Sequence, residues 1–147
     1  MTARDVGAGC ENKQMTGILS RLPHDDYIDT VHAALAGLGI EPDRYWTETP
    51  DGRQLDAVLT FDTNPAISAE WPGGVFLGWD QRAGWSLIDT STNRTLFPLG
   101  LGAYAGPQAV AVRAKTILFS AGSTPVDETW AGAAALEEAV KAWEATP

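Results

Sequence analysis

The sequence predicts an α+β fold in which an antiparallel sheet of three to four strands forms a two-layer sandwich with helices on one face. The first observation is the order of periods: one helical segment, then short alternating segments, then two more helical segments. The second is a hairpin signal with a tryptophan on each strand. The third is one strongly apolar strand face, which one N-terminal and two C-terminal helices would cover.

Length and composition agree with one folded unit. The chain has 147 residues, of which 44% are hydrophobic, so it contains enough apolar material for one core. Residues 1–22 show no sustained period and are rich in glycine, threonine and polar residues, which predicts a flexible leader. Residues 23–147 are then expected to form a single α+β domain.

Charge and cysteine content limit the location and the partners. The net charge of −9 repels phosphate backbones, so direct binding to nucleic acid is not expected. No apolar run approaches the ~20 residues that span a bilayer, and the first residues lack a secretory apolar region, so we expect no membrane partner. Cys10 is the only cysteine, which excludes an intramolecular disulfide and suits the cytoplasm.

The first helix is predicted to begin at residues 23–26, with an aspartate cap and acidic residues in its first turn. Its apolar residues recur at helical spacing up to a stop at Gly39: Ile28, Val31, Leu35 and Leu38. Residues 40–54 are rich in turn signals and are predicted to be a loop. Residues 55–62 alternate as a half-buried strand, and residues 63–71 are predicted to be a loop because prolines argue against regular pairing there.

Register arguments define the central hairpin. Pairing Trp79 with Trp85 and Leu77 with Leu87 places both tryptophans and both leucines on one face. A four-residue loop would split this hydrophobic set between the two faces. The sequence therefore predicts a five-residue connection over residues 80–84, whose last residue is a glycine able to adopt a positive φ.

The remaining elements follow in order. Residues 94–99 are predicted to form a fourth strand, and Pro98 places it at a sheet edge. A helix follows from Pro107, which suits a first helical turn. Asp127 or Thr129 is expected to cap a last helix with one apolar face: Trp130, Ala133, Leu136, Val140 and Trp143.

A glycine-rich segment links the last strand to the next helix. Gly100, Gly102 and Ala105 match G-x-G-x-x-G/A, and in a dinucleotide site such glycines let the backbone approach the pyrophosphate at a helix N-terminus. The segment lacks the second parallel strand and the acid ~20 residues further on that this fingerprint requires. Residues 100–106 are therefore either a small-molecule or nucleotide site or, more simply, a flexible turn.

Catalytic and metal-binding patterns are sparse. His32 shares a helix stripe with Asp25 and Asp29, but typical metal sites need three or four ligands, and the only other histidine is His24. The sequence contains no G-x-S-x-G, no H-E-x-x-H and no P-loop. We therefore predict no catalytic residue, no metal and no cofactor.

The strand face opposite the predicted core is the first candidate for a binding surface. It carries Val58, Phe76 and Ile88 and is more apolar than a solvated face usually is, which suggests that another surface covers it. Aromatic residues in predicted loops are further candidates for partner binding, although each also fits the role of a partly buried anchor: Tyr45, Trp46, Trp71 and Tyr104.

Three motifs together resemble a known family. A helix at residues 27–39 is followed by G-W-D-x-x-x-G-W-S-L at residues 78–87 and by L-G-x-Y-x-G-P at residues 101–107, ahead of another helix. Over roughly residues 24–122, this pattern resembles a family of uncharacterised small actinobacterial proteins, a domain of unknown function. The resemblance implies no activity, cofactor or site residue.

The favoured functional hypothesis is a non-enzymatic protein-binding or regulatory module, whose partner is another protein or a second copy of the chain. One alternative is the small-molecule or nucleotide site in residues 100–106. The other is an acidic mimic of nucleic acid that blocks a DNA-binding protein, which a net charge of −9 supports only modestly.

Overall fold

The computed structural model describes residues 21–91, 94–121 and 125–146. Residues 1–20 of the predicted leader therefore lie outside the described part of the chain. The described helices and strands are, in chain order, α1 (Asp25–Gly37), β1 (Arg44–Glu48), β2 (Asp56–Thr60), α2 (Pro65–Glu70), β3 (Val75–Asp80), β4 (Gly84–Asp89), β5 (Leu96–Pro98), α3 (Pro107–Leu118) and α4 (Ala133–Glu144).

The strands form one antiparallel sheet in the order β1-β2-β3-β4-β5. The α+β class and the antiparallel sheet are thus confirmed, while the strand count is five instead of three to four. The two-layer packing with all helices on one face stays a prediction. Each strand pairs with the next one in the chain, so the sheet needs only local connections.

The additional strand is β1, in a segment that was predicted to be a loop. Its Tyr45 and Trp46 pair with Leu59 and Val58 of β2. Tyrosine, tryptophan and threonine in succession favour a strand, and the turn signals lie after this run instead of within it. The side chain of Asp51 accepts hydrogen bonds from the amides of residues 53 and 54, which closes the turn between β1 and β2.

The predicted register of the central hairpin is confirmed. Trp79 pairs with Trp85 and Leu77 pairs with Leu87 across β3 and β4. Gly84 adopts a φ of +78°, and a Cβ at this position would lie 3.3 Å from the carbonyl oxygen of Leu101. Glycine therefore permits both the turn and the close approach of the neighbouring chain.

A short helix occupies the second predicted loop. Asn64 accepts a hydrogen bond from the amide of Ile67 at 3.0 Å and so caps α2, while Pro65 occupies its first turn. Proline at this position favours the start of a helix, because its missing N–H would have no helical partner there. The prolines in this segment therefore exclude a strand but permit a helix, and Ile67 is buried beneath it.

The first helix begins within residues 23–26 as predicted, but its predicted aspartate cap is wrong, and so is the predicted start of the last helix. Helix α1 begins with His24 as its N-cap and without a capping side-chain hydrogen bond, because Asp25 instead accepts hydrogen bonds from the amide of Leu22 and the hydroxyl of Thr47. Helix α4 begins at Ala133, and Asp127 forms a local turn by accepting from the amide and hydroxyl of Thr129. In both cases the aspartate is satisfied by a loop or strand contact that competes with helix capping.

The hydrophobic core joins one face of the sheet to α1, α3 and α4. Its sheet residues are almost fully buried: Ala57, Leu59, Leu77, Trp79, Trp85 and Leu87. Its helix residues come from all three of those helices: Ile28, Val31, Leu35, Val110, Ala114, Leu118, Leu136 and Val140. Burial of one such large aliphatic or aromatic side chain contributes about 1.5–3 kcal/mol, so this contact is the main source of stability.

The hydroxyl of Tyr27 connects three parts of this core. It donates a hydrogen bond to the carbonyl oxygen of Ala105 at 2.5 Å and accepts one from the indole N–H of Trp85 at 2.9 Å. The Tyr27 ring also stacks on Trp130, with ring centres 5.5 Å apart. Burial raises the pKa of Tyr27, so the hydroxyl stays protonated and remains able to donate.

His24 is a buried polar residue at the start of α1. Its Nε2 lies 2.8 Å from the carbonyl oxygen of Asp56, so Nε2 carries the proton, and its ring stacks on Trp79 with centres 5.1 Å apart. Nδ1 is buried without a hydrogen-bond partner. Burial lowers the pKa of His24, because the charged imidazolium would lose its hydration there.

Replacing the Tyr27 hydroxyl should measurably destabilise the fold. In Tyr27→Phe, the Trp85 indole and the Ala105 carbonyl lose their partner, and the free energy of unfolding should fall by about 1–3 kcal/mol in urea denaturation. Tyr45→Phe is the matched control, since Tyr45 is exposed and its hydroxyl donates to the exposed carboxylate of Asp29. It should change stability by less than about 0.5 kcal/mol, and equal effects of the two variants would contradict the account.

Stability should fall when His24 becomes protonated. The pKa in the folded state lies below its ordinary value of 6.5, so the unfolded chain binds the proton first as the pH falls. Stability is therefore complete above about pH 6.5 and declines below it, by at most about 1.4 kcal/mol per pH unit from this group. His24→Phe keeps a ring against Trp79 and should decline less steeply in denaturation series between about pH 7.5 and 5.5; parallel curves would contradict this assignment.

Candidate functional site

The sheet side that points away from the core, which we call the open face, carries three rows of residues that pair across neighbouring strands. The arginine row contains Arg44, Thr60, Phe76, Ile88 and Leu96. The middle row contains Trp46, Val58, Gly78, Ser86 and Pro98. The acidic row contains Glu48, Asp56, Asp80 and Gly84.

The open face is largely apolar. The three predicted binding residues Val58, Phe76 and Ile88 lie together on it, and each is half-buried. Trp46 and Leu96, on the two edge strands, extend the apolar area and expose 39% and 59% of their surface. The structure therefore places the predicted sheet-face residues on one continuous surface and adds an aromatic residue from β1.

A groove about 250 Å³ in volume runs across this face. Gly78 lies in its centre, and a Cβ at this position would come within 2.9 Å of the Ile88 side chain. The side chains of Ile88 and Phe76 therefore lie over Gly78 and occupy the space that a side chain at this position would need. Pockets for drug-sized ligands usually measure ~300–1,000 Å³, so the groove better suits one or two side chains of another surface.

One end of the open face is basic. The guanidinium of Arg44 lies 5.6 Å from the ring centre of Trp46, and that of Arg94 lies 5.8 Å from the ring centre of Phe76. Both distances fit cation–π contacts. The side chain of Arg44 is 67% exposed and lies 4.0 Å from Asp43. Two positive charges are therefore held over aromatic rings at the edge of the apolar area.

The other end of the open face is acidic. Asp56 lies directly opposite both Glu48 and Asp80 on its neighbouring strands. Asp56 accepts a hydrogen bond from Gln54, and Asp80 accepts two from the amides of residues 82 and 83. Among the described residues, no arginine, lysine or histidine forms a salt bridge with any of the three carboxylates. Like charges directly opposite each other destabilise a sheet, so the acidic row lowers the stability of the sheet in the isolated chain.

Two of the predicted loop aromatics belong to β1, which corrects their expected position. Trp46 lies on the open face, whereas Tyr45 points to the other side. The Tyr45 hydroxyl donates to Asp29 at 3.0 Å, and its ring stacks on His32 with centres 4.4 Å apart. Tyr45 therefore anchors the edge strand to α1, and only Trp46 joins the candidate surface.

The other two aromatic candidates lie away from the open face. The indole of Trp71 donates to the carbonyl oxygen of Leu118 at 2.8 Å, and its ring contacts Phe97 edge-on. The carbonyl of Tyr104 accepts a hydrogen bond from the indole of Trp130 at 2.8 Å. Burial raises the pKa of the half-buried Tyr104 phenol. The indole hydrogen bond of Trp71 and the packing of the Tyr104 side chain against the core favour anchoring roles for both residues.

The glycine-rich segment uses its polar groups within the chain. The amide of Gly102 donates to the side-chain carboxylate of Glu128 at 2.9 Å, and the amide of Gly106 donates to the backbone carbonyl of the same residue at 2.7 Å. Gly100 adopts a φ of +74°, and Ala105 is buried. A carboxylate therefore already occupies the position where a phosphate would meet the Gly102 amide.

Sequence reasoning missed the charged rows of the open face. Arg44 and Glu48 share the face of Trp46 because they lie two residues to either side of it, a period that becomes visible once β1 is recognised. Asp56 and Asp80 alternate with core residues in strands that were predicted, and their common row follows from the pairing of β2 with β3. The charged rows were therefore missed because β1 was not recognised as a strand.

Comparison of this chain with protein-family models, curated proteins and solved structures finds no match. Within residues 21–91, 94–121 and 125–146, no three or more histidine, cysteine, aspartate or glutamate side chains are placed to hold a metal ion. The described helices include none that is long and apolar enough to cross a membrane. The open face is consequently the feature of this protein that points to a function.

Nucleotides should leave the stability of this protein unchanged, because Glu128 already accepts hydrogen bonds from the amides of Gly102 and Gly106 in the glycine-rich segment. A thermal-shift series with mononucleotides and dinucleotides checks this expectation. A ligand present at 100 times its Kd would add about 2.7 kcal/mol, which such a series detects. Stabilisation of the wild-type chain would support the nucleotide alternative. Stabilisation confined to Glu128→Ala would show that this carboxylate blocks an anion site.

Proposed function

We propose that the protein is a non-enzymatic protein-binding module and that its contact surface is the open face. The observation that carries the proposal is the continuous apolar area of Trp46, Val58, Phe76, Ile88 and Leu96 on one side of the sheet. Soluble proteins seldom leave a large apolar area bare, and such areas commonly mark interaction sites.

The shape of the open face also supports a protein partner. The groove at Gly78 is small and open, so it suits a protruding side chain better than an enclosed small molecule. Apolar residues lie at the centre and charged residues at the two ends, which is the usual arrangement of a protein–protein interface. The proposal assigns no catalytic residue and no cofactor.

The contact residues in this proposal are a subset of the sequence candidates. Val58, Phe76, Ile88 and Trp46 would touch the partner. The side-chain hydrogen bonds of Tyr45 and Trp71, and the packing of Tyr104 against the core, support anchoring roles for these three residues. The same proposal includes a relationship to the uncharacterised actinobacterial family and a cytoplasmic location. The identity of the partner would determine the biological process in which the protein acts.

Charged substitutions in the apolar area should abolish partner binding. Phe76→Asp and Ile88→Asp each place a carboxylate in the apolar area, where a bound partner would bury it at a cost in affinity. Affinity capture from the native host, quantified by mass spectrometry, should lose the same proteins with both variants. Circular dichroism and thermal melting should show that each variant still folds, because both residues lie outside the core.

Phe97→Asp is the matched control, since Phe97 pairs with the core-facing Leu87, on the other side of the sheet. It introduces the same charge at a residue that exposes 37% of its surface, and it should retain all captured proteins. The proposal fails if Phe97→Asp loses the partner while Phe76→Asp keeps it. Full retention by all three variants would also contradict it.

A further inference from the structure

The charges of the open face are arranged symmetrically about its middle row. On β1, Arg44 and Glu48 lie two residues to either side of Trp46. On β3, Phe76, which carries Arg94 over its ring, and Asp80 lie two residues to either side of Gly78. Positive and negative groups therefore occur at equal distances from a common line across the strands.

This arrangement makes the face complementary to a rotated copy of itself. A twofold axis that lies in the contact plane and follows the middle row places the arginine row of one copy over the acidic row of the other. Arg44 then faces Glu48 of the second copy, and Arg94 approaches Asp80 of the second copy. Each contact occurs twice, as in any isologous interface.

The orientation of the axis is decided by charge. An axis parallel to the strands and centred on β3 would instead place Asp80 over its own copy and bring Arg94 close to its own copy. Like charges brought together at an interface lower the affinity, so this second arrangement is disfavoured. The arrangement along the middle row instead supplies Glu48 and Asp80 with the opposite charges that the described part of one chain does not provide.

The apolar groups fit the same arrangement. Trp46 and Val58 lie on the axis and would meet their own counterparts, while Phe76 and Ile88 would be covered by the second sheet. Gly78 lies at the centre, beneath the side chains of Ile88 and Phe76. Two sheets that pack face to face lie about 10 Å apart, which this mixture of large side chains and glycine can fill.

We infer that the open face binds the open face of a second copy of this chain, with the strands antiparallel across a twofold axis along the middle row. The inference rests on the proposed function and names the partner of the same surface. Five strands about 4.8 Å apart and five residues at about 3.3 Å each give a face of roughly 24 by 17 Å. Such a small contact corresponds to a dimer that dissociates on dilution.

The test is analytical ultracentrifugation of the full chain over a dilution series up to about 1 mM. Arg44→Glu and Glu48→Arg should each weaken dimerisation by about tenfold, because each replaces two attractive pairs with two repulsive ones. An equimolar mixture of the two variants should restore association, since the introduced charges then complement each other. The double variant should also associate like the wild type.

Two controls carry the same charge changes on α4, at exposed positions away from the open face. Lys141→Glu and Glu138→Arg should leave the dissociation constant unchanged within about twofold. Phe76→Asp should abolish the dimer. A dimer that survives Phe76→Asp, or a mixture that fails to associate, overturns the inferred interface.

A wild-type chain that stays monomeric throughout the dilution series overturns self-association alone. In that case the loss of captured host proteins with Phe76→Asp would still support the proposed function with a different partner. If Phe76→Asp retained those proteins, both the inferred dimer and the proposed function would be wrong. The two experiments therefore separate failure of the inferred dimer from failure of the open face as a binding surface.

Discussion

The hydroxyl of Tyr27 is the interaction on which the arrangement of the sheet, the first helix and the glycine-rich segment depends. It receives the indole N–H of Trp85 and donates to the carbonyl of Ala105. The two preceding carbonyls, at residues 103 and 104, accept hydrogen bonds from the indoles of Trp79 and Trp130. Three consecutive carbonyls of an irregular segment are thus satisfied by aromatic side chains from three other parts of the chain, which removes the cost of leaving them unpaired near the core.

The two sides of the sheet therefore differ in role: one side forms the core, and the other is available to another surface. The core-facing side contains both hairpin tryptophans, and the indole N–H groups of both donate hydrogen bonds within the chain. The open face instead keeps half-buried apolar residues, a central glycine and two charged rows without full compensation. Natural proteins retain such locally unfavourable features where another surface compensates them. The contrast between the two sides therefore indicates that the open face is the functional surface.

Sequence reasoning succeeded where a local pattern was sufficient. The alternation of residues 75–89 fixed the hairpin register, because any shift would have split the tryptophans and leucines between faces. It failed at β1, because the strand-favouring run of this five-residue strand is short and the turn signals on either side of it dominate the segment. The anchoring of Trp71 could not be predicted either, since its hydrogen-bond partner at Leu118 lies 47 positions away. The charged rows depend on the register of three strands together and therefore required the structure.

The central claim is that the open face meets its own copy, and methyl-group NMR over a dilution series tests it most directly. Val58 and Ile88 lie on the open face, whereas Val31 and Leu35 are fully buried in α1. The account predicts that the methyl signals of Val58 and Ile88 shift with concentration while those of Val31 and Leu35 stay constant. Concentration-dependent shifts elsewhere on the protein, with Val58 and Ile88 unchanged, would contradict it.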